Sequence, residues 1–158
     1  MLFFNPLKQS IAALAGLALV PVAGLAQTPP PPAQAPAAGP TYADLATLSE
    51  ASGLVIRAKI RRQTALKPER APGLAPGFAR LYIEAQTLSL IAGRSGLGAD
   101  LTYLVDVPLD AKGKVPKLKN REFLLFARAV PGRAGEVQLV APRAQLDYTP
   151  ELEARLRP

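Results

Sequence analysis

One stretch of the chain alternates between apolar and charged residues, and it limits the possible folds more than any other feature. The stretch is LVIRAKIRRQTAL, residues 54–66. A period of two is typical of a β-strand that has one buried face. The inward set is predicted to be Leu54, Ile56, Ala58 and Ile60, and the outward set Val55, Arg57, Lys59 and Arg61.

Further stretches also have strand patterns. Residues 80–93 begin as a strand, and a slip in their apolar phase, to Leu88 and Leu90, predicts a β-bulge near Thr87. Residues 101–107 alternate again, whereas residues 121–130 are apolar on both faces, as in a strand that is covered on both sides. The sequence PGRAG is typical of a hairpin turn, so EVQLVA should return as the partner strand and AQLDY should extend the sheet.

Short helices are predicted at both ends of this β-rich region. Thr41 and Asp44 have the spacing of a capping box for a helix over residues 41–53. Thr149 should cap a second helix with Pro150 in its first position. Residues 67–79 are rich in proline and glycine, so they predict a long loop.

The order of elements predicts a mainly β fold with a short N-terminal and a short C-terminal helix. A small five-stranded OB-like barrel would leave few unpaired strand edges. The connection between the third and fourth strands departs from the usual version of that barrel, because Gly113 and Pro116 make it a poor helix. A small β-sandwich is the alternative.

The N-terminal segment predicts export. Residues 1–26 contain Lys8, an apolar run and small residues before a cleavage site after Ala26, as in a signal peptide. A retained membrane anchor is the competing interpretation, but the run is short for the roughly 20 residues that a crossing needs. Residues 27–40, QTPPPPAQAPAAGP, are expected to form a disordered or semi-rigid linker, and residues 41–158 a single β-rich domain. The expected location is the periplasm, with secretion as the alternative.

The composition excludes several chemistries. The chain has no histidine and no cysteine, so it lacks Ser-His-Asp and thiol catalysis, disulfides and most zinc or copper ligands. The glycine-rich GRSGLG lacks the lysine of a phosphate-binding loop and is interpreted as a turn. A hydrolase with paired carboxylates including Asp106 is possible in principle, but the sequence places no second acid beside it. We expect no catalytic residue, no metal and no cofactor.

Two groups of basic residues are candidate binding sites on this chain of net charge +7. The first, called the strand site below, lies on the outward faces of the first two strands and would form a cationic, partly aromatic surface. The second lies in the connection DAKGKVPKLKN, where lysines could also serve only to keep an apolar neighbouring strand from aggregating. The strand site comprises Arg57, Lys59, Arg61, Arg80 and Tyr82, and the connection carries Lys112, Lys114, Lys117 and Lys119. We rank the strand site first, because a flexible connection loses entropy when its charges are held in place.

Three segments resemble a group of exported proteins of sphingomonad-type alphaproteobacteria that carries no assigned activity. They are PERAPGLAPGFARLYIEAQTLSLIAGR, LTYLVDVPLDAKGKVPKLK and FLLFAR, and the likeness covers about residues 41–158. The order of elements is also similar to that of small extracytoplasmic OB-like barrels. The resemblance implies export and a fold, and it assigns no functional residues.

These features favour a non-enzymatic periplasmic binding or accessory domain. Its expected partner is an anionic envelope polymer, lipid head groups or a periplasmic protein, because an exported basic protein is not expected to meet nucleic acid. The alternatives are a structural protein-interaction domain without a small ligand and a hydrolase of unknown type.

Overall fold

A computed structural model of the chain describes residues 40–94 and 96–157. The predictions for residues 1–26 and 27–39 lie outside the described residues. The elements are α1 (Tyr42–Ala51), β1 (Leu54–Ala65), β2 (Phe78–Gly93), β3 (Asp100–Pro108), β4 (Glu122–Ala129), β5 (Val137–Leu139), β6 (Gln145–Asp147) and α2 (Pro150–Leu156). Within these ranges, no helix has both the length and the apolar character needed to span a bilayer.

Both helices begin where the sequence predicts. Thr41 and Asp44 form the reciprocal capping box of α1, in which the Thr41 hydroxyl accepts from the Asp44 N–H at 3.2 Å and the Asp44 carboxylate accepts from the Thr41 N–H at 2.9 Å. At α2 the Thr149 hydroxyl accepts from the Leu152 N–H at 3.1 Å, and Pro150 occupies the first turn. These bonds satisfy N–H groups that a helix leaves unpaired at its start.

The strands form one antiparallel sheet in the order β3-β2-β1-β4-β5, with β6 paired to β4. The mainly β fold with two short terminal helices is therefore confirmed. A β-sandwich would need two sheets, and the described residues form one. The sheet has six strands, because residues 145–147 pair as a strand of their own, and it is not closed into a barrel.

The two edges of the sheet approach each other without forming a full ladder. The Thr102 N–H donates to Gly135 O and the Asp106 N–H donates to Pro142 O, both at 2.8 Å, and Thr102 forms an isolated parallel bridge with Glu136. Residues 102–106 of β3 thus face the longer segment 135–142. Because the longer segment must arch away from β3 between these two bonds, it leaves a groove at the edge of the sheet.

Strand β4 is buried on both faces, as its apolar pattern predicts. The side chains of Phe123, Leu125 and Phe126 are at most 4% exposed. They belong to one buried cluster that also contains Leu45 of α1 and Leu152 of α2. The strand therefore has neighbours in the sheet and packing above and below it, which is the usual setting of a continuous apolar strand.

Irregularities in the β1–β2 pairing change which residues share a face. The pairs Ala58–Thr87 and Arg57–Ser89 leave Leu88 unpaired, so the bulge predicted near Thr87 is confirmed. The pairing shifts at two further places that were not predicted: one lies between Val55 and Ile56, and the other between Ile60 and Arg62. Beyond the shift at Ile60–Arg62, Gln63 pairs with the buried Ile83, so a polar residue takes an inward position.

Candidate functional site

Arg57 of the strand site lies in a network that fixes the C-terminal helix to the sheet. Its Nε and Nη2 donate to one Glu122 carboxylate oxygen at 2.9 and 2.7 Å, and its Nη1 lies 3.8 Å from a Glu153 oxygen. The guanidinium also stacks on the Tyr148 ring at 3.9 Å. The hydrogen bond to Glu122 raises the pKa of Arg57, so the cation is held by groups of its own chain.

Arg80 is paired even more completely. Its Nε and Nη2 donate to the two Asp106 carboxylate oxygens at 2.7 and 2.9 Å, and its Nη1 donates to Pro72 O at 3.0 Å. The side chains of Arg80 and Asp106 are only 18% and 10% exposed. A two-point, partly desolvated pair of this kind is among the stronger ion pairs in proteins, and separating its partners would leave an unpaired charge.

The remaining cations of the strand site, Arg61 and Lys59, differ in whether they form an ion pair. Arg61 lies at the register shift between Ile60 and Arg62 and reaches Asp100 at 3.7 Å, while its neighbour Arg62 reaches Glu84 at 3.5 Å. These exposed pairs are weak. Lys59 is half-buried and has no ion pair with any residue in the described ranges. The outward face of β1 and β2 thus carries charged side chains of both signs. Its arginines are in ion pairs, and Lys59 is not.

Tyr82 lies in the groove at the sheet edge rather than beside Arg57. It pairs across the ladder with Leu104, and the two side chains are 39% and 47% exposed. They line an open cavity of about 550 Å³ between β3 and residues 136–142, with Arg80 and Asp106 at its border. An aromatic and an aliphatic side chain side by side could receive an apolar group of a partner.

The connection between β3 and β4, residues 109–121, carries the four candidate lysines and is called the lysine loop below. All four lysine side chains are exposed, and none is in an ion pair within the part of the chain that the structure describes. They are Lys112, Lys114, Lys117 and Lys119. The lysine loop therefore presents four cations that no carboxylate of the described residues holds in an ion pair.

Hydrogen bonds fasten the lysine loop to the sheet. One Asp110 oxygen accepts from the N–H groups of Lys112 and Lys114 at 2.8 Å each, which closes a tight turn. The Gln63 side chain of β1 accepts from the Leu118 N–H at 2.6 Å and donates to Pro116 O at 2.9 Å. Because these bonds already order much of the loop backbone, the loop would lose less entropy on binding than a flexible connection. This removes the main reason for ranking it below the strand site.

Among the described residues, the candidate acid Asp106 and the buried Tyr103 both already have hydrogen-bond partners. None of the carboxylates in the described residues forms a group of three or more that could hold a metal ion. Asp106 is engaged by Arg80, and Tyr103, whose hydroxyl donates to the Gln145 side-chain oxygen at 2.6 Å, is a buried phenol whose pKa is raised by that burial.

Comparison with known proteins gives no family assignment. No protein-family model matches the chain, and no curated protein matches it.

Sequence reasoning missed two residues that decide the character of these sites. Gln63 was not singled out, because unbroken alternation places it on the outward face, where a polar residue is expected. Arg62 was left out of the strand site because unbroken alternation places it inward. The register shift between Ile60 and Arg62 reverses both assignments.

Proposed function

We propose that this chain is an exported, non-enzymatic binding domain whose lysine loop contacts an anionic component of the cell envelope. The observation that carries the proposal is the contrast in charge pairing: the loop lysines are exposed and unpaired in the described structure, while Arg57 and Arg80 are engaged by carboxylates. The partner chemistry is that of anionic lipid head groups, including the phosphates of lipopolysaccharide. The resemblance to exported sphingomonad-type proteins and to OB-like barrels forms part of this proposal.

The order of the two candidate sites is reversed in this proposal. An anion that approached Arg80 would have to displace Asp106 from a bidentate pair, and the free energy of that pair would be lost. An anion that approached the lysine loop displaces only water and counterions. Each lysine near an anionic membrane surface contributes about 1 kcal/mol to binding.

A comparison of two charge-neutralised variants tests the proposal. One variant carries Lys→Gln at the four loop positions, and the other carries Arg57→Gln, Lys59→Gln, Arg61→Gln and Arg80→Gln. We expect the loop variant to lose vesicle binding and the strand variant, if it folds, to keep most of it. Because the strand variant also breaks structural ion pairs, Lys59→Gln combined with Arg61→Gln is the milder control. Vesicles of neutral lipid measure any binding that does not depend on charge.

Export is the second part of the proposal and has its own test. The signal-peptide pattern supports cleavage after Ala26. N-terminal sequencing of the protein recovered from the periplasmic fraction should then begin at Gln27. Recovery of a chain that begins at Met1 in a membrane fraction would contradict export with cleavage.

A protein-interaction domain without a small ligand is the second candidate function, and the groove at Tyr82 favours it. Hydrogen bonding alternates along an antiparallel pair, and the N–H groups of Thr102 and Asp106 donate away from β2. The Leu104 backbone groups therefore also point to this edge, where an extended segment of a partner could pair with them.

Substitution of the exposed Leu104 distinguishes the protein-interaction function from binding to an anionic envelope component. Leu104→Asp would disturb an apolar contact in the groove and leave the lysine loop unchanged. Loss of a protein partner together with unchanged vesicle binding would favour the second candidate.

A further inference from the structure

The lysine loop covers one end of the sheet, but it contributes few buried side chains there. Of residues 109–121, only Leu118 is buried, at 4% exposure. Gly113 and Pro116 prevent this connection from forming a helix that could fill the space with an apolar face. An open cavity of about 410 Å³ remains between the loop, β3 and β6.

The walls of this cavity are largely apolar. Val105 and Val107 of β3 and Phe123 of β4 line it, and each is at most 6% exposed. Leu118 and Pro116 line it from the loop side. Both its volume and its apolar lining are in the range of cavities that bind small molecules.

Three carboxylates border the cavity, but each already has partners. Asp106 is held by Arg80, and Asp147 is held by Arg121. Asp110 accepts two N–H groups of the loop turn. These acids therefore have little capacity to attract a cationic ligand.

The polar groups that remain available are donors. Arg143 lines the cavity, is exposed, stacks on Phe78 at 5.1 Å and has no ion pair within residues 40–94 and 96–157. Gln145 also lines the cavity, and its side-chain oxygen accepts from the Tyr103 hydroxyl at 2.6 Å. Because this bond engages the side-chain oxygen, the Nε2 group of Gln145 remains available as a hydrogen-bond donor.

We propose that this cavity binds a small amphiphilic anion, with its apolar body against Val107, Leu118 and Phe123 and its carboxylate or phosphate head against Arg143 and Gln145. Both head groups accept two N–H bonds from a guanidinium, and the amide adds a third. This site differs from the exposed lysine surface of the proposed function, and neither one requires the other.

Titration of the purified chain with sodium octanoate, octyl phosphate and 1-octanol tests this proposal. The three probes share an alkyl chain, the first two differ in the anionic head, and the third is neutral. We expect saturable binding of both anions, with shifts in the NMR signals of the Leu118 N–H and the Gln145 side-chain amide. Octanol should bind at least about tenfold more weakly, because its neutral hydroxyl forms no two-point ion pair with the guanidinium.

Two matched arginine variants locate the head group. Arg143→Gln should weaken octanoate binding at least about tenfold, the effect of losing a charged hydrogen-bond partner. Arg155→Gln removes an exposed arginine of α2 and should leave binding unchanged. Far-ultraviolet circular dichroism of both variants checks that they fold.

Several outcomes would overturn the proposal. They are an octanol affinity equal to that of octanoate, an unchanged affinity in Arg143→Gln, signal shifts confined to residues far from the cavity, and no saturable binding of either anion. The four-lysine variant separates this site from the proposed function, since it should lose vesicle binding and keep octanoate binding.

Discussion

At the scale of single residues, the decisive property of the cations is whether a carboxylate already holds them. Arg57 and Arg80 look like ligand-binding residues in the sequence, but each is held by acids from distant parts of the chain. Glu122 lies 65 positions from Arg57. No local pattern could reveal that pairing, because it depends on β4 lying beside β1.

The core offers a direct test of the packing at one residue. Phe126 is fully buried, so Phe126→Ala should lower the free energy of unfolding by about 3–5 kcal/mol, the range for removal of a buried aromatic ring. Leu104→Ala is the control, because that side chain is 47% exposed and should cost far less. Urea denaturation measures both, and a loss below about 1 kcal/mol for Phe126→Ala would contradict two-sided burial of β4.

A second residue-scale prediction concerns acid stability. A hydrogen bond from Arg157, together with a smaller contribution from the hydrogen bond with Tyr148, holds the pKa of Glu153 below its ordinary value of about 4.5. A carboxyl whose pKa is lower in the folded state stabilises the fold above its unfolded pKa and loses that effect as the pH falls through the folded pKa. Thermal melts of the unmodified chain should therefore show stability declining below about pH 4.5.

The comparison of two glutamates isolates this effect. Glu153→Gln should make the melting temperature less dependent on pH in the acid range, whereas Glu151→Gln, on the exposed side of the same helix, should leave the dependence unchanged. Equal pH profiles for the unmodified chain and Glu153→Gln would contradict the role of the Arg157–Glu153 pair.

At the scale of elements, most of the secondary structure could be predicted from local patterns. The strand at residues 54–65 follows from alternation, and both helix starts follow from their capping residues. The register shift between Ile60 and Arg62 could not be predicted, because β1 remains extended through it and the change appears only in pairing with β2. That shift moves Gln63 inward, where it can reach the lysine loop.

Gln63 is therefore the residue that tests whether the lysine loop is fastened. Gln63→Leu removes the acceptor of the Leu118 N–H and the donor to Pro116 O, and should cost about 1–3 kcal/mol in unfolding free energy. Hydrogen exchange at the Leu118 amide should become faster. Thr64→Val, at the next and exposed position, is the control, and unchanged exchange in Gln63→Leu would mean that other contacts hold the loop.

At the scale of the whole molecule, the sequence predicts the class of fold better than it predicts the distribution of charge. A net charge of +7 indicates an affinity for anions but not where on the surface that affinity lies. In the folded chain, ion pairs engage the arginines of the outward sheet face, whereas the four lysines of the lysine loop have none within the described residues. We propose that this loop gives the molecule its affinity for anionic surfaces.

The measurement that tests this claim most directly is the salt dependence of vesicle binding. The unmodified chain and the four-lysine variant are titrated with vesicles that contain phosphatidylglycerol, at low and at physiological ionic strength. The unmodified chain should bind more weakly at the higher salt concentration, because exposed charges are screened within about 8 Å there. The variant should bind weakly at both concentrations, with a loss of up to about 4 kcal/mol at low salt if all four lysines reach the surface. Equal binding of the two proteins, or binding of the unmodified chain that does not change with salt, would contradict the account.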